Sequence, residues 1–111
     1  MLKEAKKALW VTESEFDSQI AILLMAGAKD LEAAGVVLPG TVELTIADNG
    51  TVTDNSTLKD PYVMQAILTY VQANFRNPPN ADRLAASYDL QAKQLMHNSD
   101  YTDYGDGGDG T

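Results

Sequence analysis

The stretch Phe16 to Gly35, FDSQIAILLMAGAKDLEAAG, decides how this chain folds. Phe16, Ile20, Leu23, Leu24, Gly27 and Leu31 recur at i, i+4 and i+7, which places them on one face of an α-helix. Gly35 comes next, and glycine ends helices readily because it takes positive φ without a steric penalty. Upstream, Thr12-Glu13-Ser14-Glu15 sets Thr and Glu three apart, the spacing of a capping box, and predicts that the helix begins there. Its middle turn is apolar almost all the way round, since Ile22 and Met25 point away from the Ile20 stripe. One small core cannot cover both faces, so these two residues are expected at an interface with another subunit.

Working outward, Leu2, Ala5 and Leu9 alternate with Lys3, Lys6 and Lys7 at helical spacing, which predicts a short amphipathic helix over residues 2 to 10. On the other side, the helical period disappears between Val36 and Leu58. There Val42, Leu44 and Ile46 alternate with Glu43 and Thr45, and Asp48-Asn49-Gly50 supplies a turn before Thr51-Val52-Thr53. A β-hairpin or extended loop is expected over about 36 to 58. Asp60-Pro61 opens a third helix, with Asp as N-cap and Pro where no N–H is needed. It runs to about Asn74 with Val63, Ile67, Tyr70 and Val71 inward and Met64 and Leu68 alongside.

Asn77-Pro78-Pro79 stops that helix, and Asn80 is placed to cap a fourth. Leu84, Tyr88, Ala92 and Leu95 form its stripe, Asp82, Arg83, Asp89 and Lys93 face water, and the pattern fades near His97. The expectation is a mainly α fold: a small four-helix domain over 1–97, with a hairpin or loop inserted between helices 2 and 3. A flexible acidic tail over 98–111 follows, because its Gly and Asp residues have few apolar partners to offset ordering entropy.

At 111 residues the chain suits one domain, and its net charge of −8 argues against a surface that grips phosphate. There is no cysteine, which removes disulfides, thiolate zinc sites and a cysteine nucleophile and points to folding in a reducing cytosol. Residues 1 to 10 carry three lysines and lack the apolar run of a signal peptide or membrane span, so a soluble, unexported protein is expected.

No constellation of residues points to catalysis. His97 is the one histidine and has no cysteine or second histidine to work with, so a surface or partner-contact role is expected. Gly105-Asp106-Gly107-Gly108-Asp109-Gly110 is similar to one calcium-binding nonapeptide repeat, but it lacks the stacked neighbour turn that completes such a site. Glu13, Glu15 and Asp17 suit the positive end of a helix dipole. Trp10 and the tyrosines read as core or subunit contacts. A helix-turn-helix over the first two helices is disfavoured by the acidity of the second. No cofactor or metal is expected.

Leu2-Lys3-Glu4-Ala5-Lys6-Lys7-Ala8-Leu9, the acidic turn and the Phe16–Ala34 helix resemble the opening of the head-tail connector (head-completion or adaptor) proteins of tailed phages and prophages. Asp60-Pro61-Tyr62-Val63-Met64-Gln65-Ala66-Ile67 resembles that family's third helix. Arg83-Leu84-Ala85-Ala86-Ser87-Tyr88-Asp89, with Gln94-Leu95-Met96 and Asp100-Tyr101-Thr102, resembles its ending. The likeness covers nearly the whole chain, although its motifs are packing patterns rather than catalytic signatures.

The resemblance implies a virion structural protein, found in the host cytoplasm during assembly, that forms a homo-oligomeric ring of about 12 copies under the portal. The ring would link the DNA-filled head to the next stopper or tail protein, with no catalysis, no membrane and no specific DNA binding. Within that frame Glu43, Asp48, Asn49 and Gly50 are candidates for a channel-facing hairpin. Leu95, Met96, His97, Tyr101 and Tyr104 are candidates for portal docking. The alternative from another class is a small acidic regulatory binder, a DNA mimic or antirepressor, which would not close into rings.

Overall fold

A computed structural model describes residues 1–102. Helix α1 spans Leu2–Leu9, and a 3-10 turn at Ser14–Phe16 leads into α2, Asp17–Ala33. Strands β1, Leu44–Ile46, and β2, Val52–Asp54, pair antiparallel with Thr45 opposite Thr53. Helices α3, Pro61–Asn74, and α4, Ala81–Met96, follow, and a 3-10 turn at Ser99–Tyr101 closes the described chain. The four helices and the hairpin between the second and third are those the hydrophobic pattern predicts.

The stripes meet as expected. Ile20, Leu24 and Leu31 of α2 and Val63, Ile67 and Val71 of α3 are fully buried, and α4 adds Tyr88, Ala92 and Leu95. Each such large aliphatic side chain contributes about 1.5–3 kcal/mol by leaving water. Aromatic contacts ending in one hydrogen bond join the three helices. The Tyr70 ring lies against Gly27, where an added Cβ would come within 3.0 Å of Cδ1. Tyr70 also meets the Tyr88 ring edge-on with centroids 5.2 Å apart, and the Tyr88 hydroxyl donates to Asp30 Oδ2 at 2.5 Å. Burial, followed by that hydrogen bond, pushes the Tyr88 phenol above its ordinary pKa.

The hairpin lies on α2, with Leu44 buried and Val42, Ile46 and Val52 half-buried against the core. Its pairing continues past the short strands: Asn55 N–H donates to the Glu43 carbonyl at 2.8 Å, and Thr57 and Leu58 N–H both donate to that of Thr41. The close approach at the base requires Gly40, whose Cβ would lie 2.8 Å from Leu58 Cα. The hairpin is tied to α1 as well, because Asp54 accepts from Leu2 N–H at 2.9 Å and from the Met1 amino group at 2.7 Å.

Asp60 caps α3 as predicted: its Oδ2 accepts from Val63 N–H at 3.0 Å, and Pro61 takes the first helical position. Gly35 takes φ 106° just beyond α2. The other two expected caps differ. Thr12 lies too far upstream to cap α2, because the chain first tightens into the 3-10 turn, and α2 starts at Asp17 with no side-chain cap. Asp17 instead pairs with Lys6 Nζ at 2.8 Å and joins α1 to α2. Asn80 makes no capping hydrogen bond because its φ of −103° and ψ of 28° are not the extended backbone an N-cap needs.

The folded body also reaches past the expected boundary at residue 97. Tyr101 and Thr102 are buried, Tyr101 Oη donates to Asp60 Oδ1 at 2.9 Å, and Val37 N–H donates to the Tyr101 carbonyl. Asp60 therefore caps α3 with one oxygen and holds the chain end with the other. The rest of the predicted acidic tail lies outside the described residues.

Candidate functional site

Four helices leave large apolar side chains outside the core. Trp10 follows α1 and is 93% exposed, Ile22 on α2 is 55% exposed, and Tyr62 on α3 is 71% exposed. Leu90 on α4 is also exposed. Met25 is half-buried and lines a shallow groove with Leu38 and Val42 of its own chain. The second face of α2 is thus partly covered by the segment before the hairpin, and Ile22 is the part left open.

Trp10 is held out by backbone geometry. It takes φ 59° and ψ 38° at the end of α1, the left-handed position that glycine usually fills. Val11 N–H reaches back to the Lys6 carbonyl at 3.0 Å while its side chain enters the core. This closes the helix and turns the indole to solvent. Such a conformation costs about 1–2 kcal/mol in a non-glycine residue. Two more positive-φ residues lie alongside: Arg76 at 60° and Asn77 at 46°, in the α3–α4 turn.

Trp10, Phe75, Arg76, Pro78 and Leu84 line a groove of about 470 Å³. The Arg76 guanidinium sits 4.0 Å over the Phe16 ring and 5.0 Å from that of Phe75, which fixes the turn against the start of α2.

A second groove, of about 510 Å³, opens where α3 begins and α4 ends, lined by Tyr62, Gln65, Gln91, Gln94, Leu95 and Tyr101. Gln91 Oε1 is buried there with no hydrogen-bond partner among the described residues. An amide oxygen in that state costs about 1–3 kcal/mol. The first groove takes the end of α3 and the start of α4, so the two grooves sit at opposite ends of one antiparallel helix pair.

The predicted hairpin residues Glu43, Asp48 and Asn49 are exposed, and Gly50 is half-buried. The tip does not project freely, since Asn49 and Gly50 line a shallow groove with Glu15 and Asp17 at the start of α2. Of the predicted docking segment, Leu95 and Tyr101 are buried and Met96 packs on the core, which leaves His97 exposed. Tyr104 lies outside the described residues. Neither Arg76 nor Gln91 was expected at a site, because a cation stacked on rings and an orphaned amide are set by packing and leave no periodic trace.

Among the described residues no group of three or more His, Cys, Asp or Glu is placed to hold a metal ion. No helix among them is long and apolar enough to cross a membrane. The sequence profile of a family described as phage connector protein matches residues 1–102. This chain belongs to the phage connector protein family. Its role is therefore that of a structural connector, a component of the virion that interacts with other head or tail proteins. No curated protein and no solved structure matches this connector chain significantly. The profile ends at Thr102, so the connector region includes the Tyr101 latch as well as the four helices.

Proposed function

We propose that this connector is a head-tail adaptor subunit that forms a ring of about 12 copies beneath the portal and links the filled head to the next stopper or tail protein. It acts through its surfaces and catalyses nothing. The observation that carries this reading is the exposure of Trp10, Ile22, Tyr62 and Leu90 on four different elements of a protomer that already has a filled core. A ring subunit touches two neighbours and the layers above and below, and each contact needs its own apolar anchor.

Charge fits the same reading. At −8 per chain, about 12 copies carry on the order of a hundred negative charges, which repel DNA phosphate and let it pass without sticking. The exposed Glu43 and Asp48 are suited to the channel wall. Of the candidates for portal docking, His97 is exposed and suited to that contact.

Electron microscopy of the protein mixed with its cognate portal is the test, and an added annular layer is the expected result. If the chain stays off the portal, or binds it as single copies, the ring reading falls and the acidic regulatory binder takes its place.

A further inference from the structure

We propose that Trp10 of each subunit inserts into the Tyr62–Gln91–Tyr101 groove of the next, and that this knob and socket is the lateral contact of the ring. The inference rests on the ring reading above and names the residues that close it.

Trp10 is exposed although its indole is the largest apolar group in the chain, and a left-handed backbone holds it there. Strain kept at an exposed aromatic marks a group presented for binding. The indole N–H donates and cannot accept, so a buried tryptophan needs an acceptor. Gln91 Oε1 is a buried acceptor without a partner among the described residues, in a groove walled by two tyrosines, Leu95 and further amide side chains.

The occupant is a second copy, for two reasons. Knob and socket lie at opposite ends of the α3–α4 pair, about 20 Å apart along a helix of 14 residues, so Trp10 cannot enter the groove of its own subunit. Two unlike, matching patches make a heterologous contact, the kind that generates rings. Charge also matches across it. Arg76 lines the groove beside Trp10, and among the described residues it is in no ion pair. Asp60 and the exposed Asp100 flank the socket beside Tyr101.

The chain has no cysteine, which makes disulfide trapping unambiguous. Pro79→Cys and Gln94→Cys, both exposed and one beside each groove, lie about 20 Å apart within a subunit, beyond the reach of a disulfide. Oxidised on the portal, the double variant should give a ladder of covalent multimers, whereas either single variant should stay monomeric because its thiol faces no other. Trp10→Ala in that background should abolish the ladder and raise the concentration needed for assembly roughly tenfold or more. Its melting temperature should not fall, since the side chain makes almost no contacts within the subunit.

Trp10→Phe and Gln91→Leu should each weaken assembly, and together no more than the worse of the two. A ladder that survives Trp10→Ala overturns the proposal. So does an annular layer without any ladder, which leaves the ring reading standing. A wild-type protein that forms no annulus defeats the ring reading itself. If Trp10→Ala loses the ladder because even single subunits no longer bind the portal, Trp10 belongs to the portal contact and the proposal is overturned.

Discussion

Trp10 and Asp54 show how single residues trade stability for position. Because Trp10 makes almost no contacts within the subunit yet occupies left-handed backbone, Trp10→Gly should raise unfolding free energy by about 1 kcal/mol. That corresponds to roughly 4 °C in thermal melting for a domain of this size, and calorimetry of the two proteins checks it. Asp54 stabilises through its charge. Burial alone would raise its pKa, but hydrogen bonds from the Met1 amino group, Leu2 N–H and Ser56 outweigh this and hold the carboxyl well below the ordinary 3.8. Since the folded-state value is the lower one, its contribution is full above about pH 4 and is lost as the pH falls further. Asp54→Asn should therefore cost about 1 kcal/mol at neutral pH and clearly less near pH 2, where part of the contribution has been lost. Parallel urea titrations at the two pH values test this.

Among elements, the α2–α3 contact is the one most sensitive to a single methyl group. Alanine at position 27 gains about 1 kcal/mol of helix propensity over glycine. Its Cβ, however, would meet Tyr70 Cδ1, Cγ and Cβ at 3.0 to 3.4 Å, the near part of a ring that Tyr88 holds from the other side. Overpacking of this kind costs about 1–3 kcal/mol. Gly27→Ala should thus destabilise by about 1 kcal/mol net, and by less in a Tyr88→Ala background, where the Tyr70 ring is free to move. Denaturant unfolding of the single and double variants measures both. The stripe showed that Gly27 faces inward, but only the fold shows that Tyr70 is what it faces.

For the whole molecule, the net charge of −8 matters through its sum around a ring. If the hairpins face the channel, Glu43→Lys with Asp48→Lys changes each subunit by +4, or about 50 charges over about 12 copies. Virions carrying the pair should eject DNA more slowly, with the wild-type rate approached as salt is raised. Ejection kinetics at two ionic strengths measure this, and unchanged rates at low salt would move the hairpin out of the channel. Both side chains are exposed, so the exchange should leave the fold intact.

Periodicity, Asp60-Pro61, Gly35 and the 48–50 turn were enough to determine four helices and a hairpin in order, because they act over a few residues and each is repeated along the chain. The capping box at Thr12 and the cap at Asn80 misled because one shifted turn or one unsuitable ψ removes a cap, and both depend on how neighbouring elements approach. The ending was misread for a similar reason: Asp60 and Val37, about 40 and 60 residues away in sequence, hold Tyr101 in place. Tertiary structure alone decided that Trp10 faces out, that Arg76 stacks on Phe16 and that Gln91 Oε1 has no partner among the described residues. Each is the outcome of competition among distant side chains for the same space and the same hydrogen bonds, and no local pattern encodes who wins.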